Sequence, residues 1–170
     1  IILWAVWAYL HQYRNGLGVT GLARPIFWGV YITNFVFFIG ISHAGTLISA
    51  ILRLAKAEWR RSITRSAEVI TVLVLFFGMA CVILDLGRPE KVWRLFMFFY
   101  LNNMTSMFAM NAIFYSCYFV AASIYLMTLF AEKENLSKIM GMVAFCWAML
   151  THGGTGLIFG IIVAREPWFS

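Results

Sequence analysis

Charge is scarce in this 170-residue chain: Asp, Glu, Lys and Arg make up only 12% of it, while hydrophobic residues make up 62%. Soluble domains carry about a quarter charged residues, and a soluble core of this size could not hide so much apolar surface. A water-soluble enzyme, a nucleic-acid-binding domain and a disordered chain are therefore excluded. The formal charge of +6 does not revive the nucleic-acid reading. The basic residues sit between apolar runs, where they face lipid headgroups and fix topology. The chain reads as an integral membrane protein.

Cysteine is scarce too. Cys81, Cys117 and Cys146 each lie inside an apolar stretch, with no C-x-x-C pair and no fourth partner. That set cannot hold an iron–sulfur cluster or a zinc ion in the usual way, so the three read as buried structural thiols. A metal redox centre served by this protein is expected on another chain. The first residues, Ile1-Ile2-Leu3-Trp4-Ala5-Val6-Trp7, are already apolar, with neither the charged start nor the small-residue cleavage site of a signal peptide. The 170 residues are expected to be a single membrane bundle and a portion of a longer subunit. No internal repeat or low-complexity tract is visible.

Uncharged runs cover residues 1–13, 26–52, 69–84, 95–131 and 139–164. A spanning helix needs about 20 predominantly apolar residues. The second and fifth runs qualify outright, the third is short, and the Asn102-Asn103 pair makes the start of the fourth read as a loop. Pro25 suits the first position of a helix, and Gly87 with Pro89 ends the third helix. The predicted helices are 1–12 (partial), 26–53, 66–87, 104–131 and 137–164. The expected fold is an all-α membrane protein, an antiparallel transmembrane four-helix bundle plus part of a preceding helix.

Lys and Arg divide seven against six between the two ends of this bundle, so the positive-inside rule gives no strong orientation. Five of them crowd residues 53–65; that end is termed the in side, and the end carrying Arg14, Arg88 and Arg165 the out side.

An ionisable group inside a span costs at least about 2.5–3.5 kcal/mol at mid-helix and is a functional candidate by default. His43 lies among small residues in Gly40-Ile41-Ser42-His43-Ala44-Gly45-Thr46, which admit a close helix neighbour. His152 stands in Thr151-His152-Gly153-Gly154-Thr155-Gly156. Asp85 ends the third helix, three residues before Arg88, as an ion-pair partner or a proton acceptor. Glu68 is expected to open the third helix on the in side, where a carboxylate suits the N-terminus. At 1.5 Å per residue, His43 falls roughly 27 Å and His152 roughly 18 Å from the out side. The out-side half then collects Tyr31, Asn34, Asn111, Tyr115, His152, Thr155, Asp85 and Arg165, with His43 deeper, toward Glu68. Such a pocket suits a quinone, whose two oxygens need hydrogen-bond partners able to exchange protons. Two other readings compete: a cytochrome b-type subunit with His43 and His152 as axial haem ligands, and a membrane anchor or assembly subunit without a quinone site.

Several segments occur in a familiar order: Gly16-Leu17-Gly18-Val19-Thr20-Gly21, Trp28-Gly29-Val30-Tyr31-Ile32-Thr33-Asn34-Phe35, the His43 segment, Asp85-Leu86-Gly87-Arg88-Pro89, the His152 segment and Ala164-Arg165-Glu166-Pro167-Trp168. Together they resemble the polysulfide-reductase membrane-subunit family (NrfD-like), over about residues 16–168. That family includes membrane subunits of polysulfide reductase, of respiratory sulfur and nitrite complexes, and of alternative complex III. The His43 segment looks most like the alternative complex III branch, and Leu84-Asp85-Leu86-Gly87-Arg88-Pro89 more like the sulfur-respiration branch.

The resemblance implies a bundle without haem or iron–sulfur cluster that binds quinone, with menaquinone the expected type, near the out side. An iron–sulfur (ferredoxin-like) subunit would dock there and exchange electrons. Other membrane subunits, c-type cytochrome subunits and lipid are the further expected partners, in a bacterial or archaeal cytoplasmic (inner) membrane. The chain would be the quinone-reactive part of an oxidoreductase complex, inactive alone. His152 and Asp85 would exchange protons; Tyr31, Asn34, His43, Arg88, Asn111, Tyr115, Thr155 and Arg165 would bind the quinone; His43 and Glu68 would carry protons inward. Because the chain is expected to hold no haem, an absorption spectrum of the subunit freed of its partners should lack a Soret band; a Soret band would favour the cytochrome reading.

Overall fold

A computed structural model describes residues 1–22, 29–57, 59–94, 97 and 107–161. Among them it contains five long helices: α1 (Ile2–Asn15), α2 (Val30–Leu54), α3 (Arg60–Asp85), α4 (Met107–Phe130) and α5 (Glu134–Ile161). Short 3-10 turns at Leu17–Thr20 and Pro89–Lys91 lie on the out side. The last four helices are long and apolar enough to cross a membrane. With 24 to 28 residues each, they run roughly 36–42 Å, more than the ~30 Å hydrocarbon core requires. The chain is an all-α integral membrane bundle. The predicted starts at 26 and 104 and the predicted end at 164, with Pro25 and Pro167, lie outside the described residues.

Helices α2 and α3 form one antiparallel hairpin and α4 and α5 a second; α3 packs on α4 and α2 on α5 to close the bundle. Both hairpins turn on the in side by the same device. Lys56 (φ 51°) and Glu132 (φ 55°) adopt left-handed backbone. The next residue's N–H reaches back five positions, Ala57 to Leu52 O and Lys133 to Thr128 O, both at 3.2 Å. This is a Schellman closure built without glycine, at roughly 1–2 kcal/mol for each non-glycine residue. On the out side Gly87 (φ 67°) makes the turn into Pro89. The C-terminal end of α1 docks on the bundle through Gln12, which donates to Leu84 O (3.3 Å) and accepts from the Tyr31 hydroxyl (2.9 Å).

The predicted third helix, 66–87, is displaced. Helix α3 begins at Arg60 and ends at Asp85. Arg60, Arg61 and Arg65 belong to its first turns, where long basic side chains can reach toward headgroups. Glu68 is consequently eight residues, roughly 12 Å, inside the helix, and fully buried. Cys146 is exposed and Cys81 and Cys117 are partly so, correcting the expectation of three buried thiols.

Each inward face follows a repeat of four and three. It reads Ser42, Thr46 and Ser49 on α2; Thr64, Glu68, Thr71, Leu75 and Gly78 on α3; Asn111, Tyr115, Tyr118, Ala122 and Tyr125 on α4; and Ser137, Gly141, Ala144, Ala148 and Thr151 on α5. That spacing is the seam of a left-handed bundle with small crossing angles. The outer faces carry Phe37, Ile48, Leu73, Phe76, Val120, Met127 and Met149, all exposed on the protein and suited to lipid. Small residues set the interhelical distance. A Cβ at Gly45 would collide with Thr71 Oγ1 and stand 3.0 Å from the carbonyl oxygen of Ala67, whereas one at Gly40 would meet nothing within 4 Å. Gly45→Ala in the full-length subunit is therefore expected to cost about 1–3 kcal/mol by overpacking, read as a lower unfolding midpoint in detergent. Gly40→Ala should stay within about 0.5 kcal/mol of the parent; equal effects would refute the contact.

Candidate functional site

Three polar groups stack along the axis of the bundle. The first centres on the two histidines. His43 of α2 and His152 of α5 meet edge to face, with ring centroids 5.2 Å apart. His43 also stacks on Tyr118 at 5.3 Å, with 3° between the planes. The expected depth difference of roughly 9 Å is thus overturned. Counting from Pro25 places the start of α2 too far out, and a common count from helix ends ignores how the two helices are offset.

His43 is bonded to the helix opposite. Its Nε2 lies 2.8 Å from Thr151 Oγ1. The single proton of that hydroxyl is directed at the carbonyls of Trp147 (3.0 Å) and Ala148 (2.8 Å). With the hydroxyl proton so placed Nε2 is the donor, and in that tautomer Nδ1 is the acceptor. That Nδ1 is buried and has no partner. One turn further out, Thr155 donates to Thr151 O and accepts from Asn111 Nδ2 (3.1 Å) and the Tyr115 hydroxyl (2.7 Å). Asn111 Oδ1 is likewise buried without a partner. It faces Gly154, where a Cβ would come within 2.8 Å of it. Gly154 is therefore a close approach between α4 and α5, whereas a Cβ at Gly153 would meet nothing within 4 Å. Phe35 packs edge-on against Tyr115 at 5.2 Å and supplies an aromatic wall. His152 itself is exposed at the bundle surface.

The second group lies inward. Ser42 donates to the Tyr118 hydroxyl (3.2 Å), Thr46 shares a 2.7 Å bond with it, and Thr71 donates to Ser42 O. The third group lies about two turns further in. The Tyr125 hydroxyl accepts from Arg53 (2.8 Å) and is bonded to Ser49 (3.0 Å), while Arg53 also donates to Ser137 (3.0 Å). Glu68 stands between these two groups, near Tyr118 on one side and Ser49 and Arg53 on the other. Both its carboxyl oxygens are buried and make no hydrogen bond of good geometry, although the Ser49 hydroxyl comes close. The reading of Glu68 as a helix-opening carboxylate is therefore incorrect. An enclosed carboxyl group without a partner is costly wherever it occurs.

Not all predicted site residues meet. His43, His152, Asn111, Tyr115 and Thr155 form one cluster. Tyr31 belongs to another, with Gln12 and the carbonyl of Leu84, next to Asp85. Asp85 Oδ1 is buried and unpaired. Asp85 is seven residues beyond Gly78, which packs against Phe38 and Ile39, and His43 lies four residues inward of Ile39. Along the axis Asp85 and His43 are thus roughly 16 Å apart, too far for one head group to touch both. Asn34 and Arg88 are exposed, and Arg165 lies outside the described residues. Among these residues Asp85 and Arg88 form no ion pair. Gln12, Thr151 and Tyr118 escape the sequence reading. The four-and-three spacing of Asn111, Tyr115, Tyr118 and Tyr125 is the signal that could have found Tyr118.

The geometry also bears on haem. Axial imidazoles must face each other across a macrocycle, whereas these rings touch edge to face and His43 Nε2 is committed to Thr151. No plane separates them. The cluster better suits a small ring with polar oxygens: two unpartnered acceptors, one accessible imidazole and aromatic walls lie together.

The sequence has relatives of known kind. It is 31% identical to the Hdr-like menaquinol oxidoreductase integral membrane subunit of Archaeoglobus fulgidus, over 100% of this chain and 43% of that protein. It is 29% identical to the menaquinone reductase integral membrane subunit of Nitratidesulfovibrio vulgaris, over 95% and 42%, and 25% identical to a selenate reductase subunit of Mesobacillus selenatarsenatis, over 92% and 45%. The chain spans less than half the length of these relatives. The sequence model of the family described as polysulphide reductase, NrfD, matches residues 18–170, and the chain belongs to that family.

Proposed function

We propose that this chain is the quinone-reactive bundle of a multi-subunit membrane oxidoreductase, and part of a longer subunit. The observation that carries the reading is the His43–His152 contact, with the unpartnered Nδ1 of His43 and the unpartnered Oδ1 of Asn111 in the same cluster. Two relatives are named for menaquinol or menaquinone, which supports menaquinone as the quinone. Electrons would pass to or from an iron–sulfur subunit on the out side, with c-type cytochrome subunits as further partners, in a bacterial or archaeal cytoplasmic membrane.

In this reading the quinone supplies two-electron redox chemistry coupled to two protons, and the bundle supplies orientation and proton exchange. His43 Nδ1 and Asn111 Oδ1 accept hydrogen bonds from hydroxyls of the reduced ring. Thr151 holds His43 in the tautomer that keeps Nδ1 free. His152, on the accessible side, takes up or releases a proton at its ring. A proton accepted at His43 Nδ1 has an inward route past Ser42, Tyr118 and Thr46 to Glu68, and from there toward Ser49 and Arg53. The outer group of Tyr31, Gln12 and Asp85, with Asn34 and Arg88, becomes an entry region or the contact with the partner subunit, not the second half of one catalytic pair.

Replacing His43 or His152 with Ala in the full-length subunit of its native complex should lower quinol oxidation about 10²-fold or more, the usual weight of a positioned acid or base. Asp85→Asn should cost less than either. If all three variants oxidise quinol at the parental rate, the anchor reading is correct.

Glu68→Gln keeps the shape and removes the exchangeable proton. Quinone affinity is expected to stay within about twofold, while turnover falls at least about tenfold in proteoliposomes, a modest share of what a proton-transfer group contributes. Unchanged turnover with intact binding would remove Glu68 from the route.

A further inference from the structure

The bundle is not sealed at its in-side end. A cavity of about 150 Å³ opens there, where α2 and α4 end and α3 and α5 begin. Its wall contains five cations, Arg53, Arg60, Arg61, Arg65 and Lys138, and two carboxylates, Glu132 and Glu134. The carboxylates are already engaged, Glu134 by Arg61 and Glu132 by Arg65. Arg60 and Lys138 have no ion-pair partner among the described residues, and Arg53 is held by the hydroxyls of Tyr125 and Ser137. The lining therefore has a surplus of three positive charges.

Two further features point to an anion. Thr64 lines the same cavity, is 2% exposed, and its hydroxyl has no hydrogen-bond partner. Helix α3 begins at this cavity with no side-chain cap and no acidic residue in its first turn, so its unpaired N–H groups add partial positive charge. A carboxylate is already supplied twice by the protein and leaves the surplus. A phosphate group offers several acceptor oxygens and matches a guanidinium in two-point contact.

We propose that this cavity binds a phosphate ester at headgroup depth. Arg53, Arg60 and Lys138 supply the charge, and the Thr64 hydroxyl donates to a phosphate oxygen. Basic pockets between transmembrane helices hold anionic lipid headgroups in this way; the same chemistry would accept free phosphate. The site shares no residue with the histidine cluster; Arg53 is the residue it has in common with the proposed proton route.

The test uses the full-length subunit in its native complex, stripped of lipid in detergent. Phosphatidylglycerol should raise the unfolding midpoint saturably, and native mass spectrometry should retain a bound lipid. The double variant Arg60→Gln, Lys138→Gln disturbs no hydrogen bond or ion pair among the described residues, so it should fold. It should weaken phosphatidylglycerol binding on the order of 25-fold, at about fivefold per basic residue removed. Thr64→Val should weaken it several-fold. If inorganic phosphate at millimolar concentration reproduces the stabilisation and the double variant abolishes it, free phosphate is the ligand. If only phosphatidylglycerol acts, the ligand is a lipid headgroup. Equal binding by the parent and the double variant, or no response to either probe, overturns the proposal.

Discussion

The arrangement of this molecule depends on one constraint: in hydrocarbon no water is available to satisfy a polar group, so every hydroxyl, amide and imidazole within the bundle must find its partner inside the protein. The consequence is a bundle turned inside out relative to a soluble one. Its inward seams carry Ser42, Thr46, Ser49, Thr64, Glu68, Thr71, Asn111 and Thr151, while isoleucine, phenylalanine, valine and methionine face outward. The tyrosines of α4 make this possible. Tyr118 and Tyr125 are long enough to cross from α4 to α2, and each carries a hydroxyl into a small cluster of serine and threonine. Ser116 and Ser123 instead bond back to their own helix, at Ala112 O and Phe119 O.

Against that background the atoms left unpaired carry the information. His43 Nδ1, Asn111 Oδ1, both oxygens of Glu68, Asp85 Oδ1 and Thr64 Oγ1 are the buried side-chain atoms without a partner among the described residues. They occur at four levels: the outer group, the histidine cluster, the midpoint between the tyrosines, and the floor of the in-side cavity. A packing account explains the paired hydroxyls but leaves these six atoms unexplained. Unsatisfied groups at a low dielectric are expensive, and their concentration along one axis is the structural basis for treating this bundle as more than an anchor.

Composition and run lengths make the membrane fold legible, because scarcity of charge and stretches of twenty apolar residues have few other solutions. The helix ends are less legible. Arg60, Arg61 and Arg65 break the apolar run and shift the predicted start of the third helix to 66, yet basic side chains with long stems are compatible with a helix already under way. That one displacement makes a buried Glu68 read as a helix cap. The two hairpin turns give no signal either, since Lys56 and Glu132 occupy positions where glycine is the usual marker. The site residues divide in the same way. Of the glycines around His43 and His152, Gly45 and Gly154 mark close packing whereas Gly40, Gly153 and Gly156 meet nothing, and His43 with His152 is a real contact. Their shared depth is hidden, because relative helix offset is a tertiary property that counting from separate ends cannot supply. The same counting groups Asp85 with His152, although the bundle holds Asp85 roughly 16 Å along its axis from the histidine cluster.

Arg53 connects what the sequence reading keeps separate. Its guanidinium ties α2 to Tyr125 of α4 and Ser137 of α5, which makes it the polar clasp across the in-side end. The same side chain lines the in-side cavity and lies near the enclosed carboxyl group of Glu68. A charge in that position favours an anion at headgroup depth. One permanently charged group thus stands between a basic vestibule and a buried carboxyl group, held by the hydroxyls of Tyr125 and Ser137 and by the face of the Tyr125 ring.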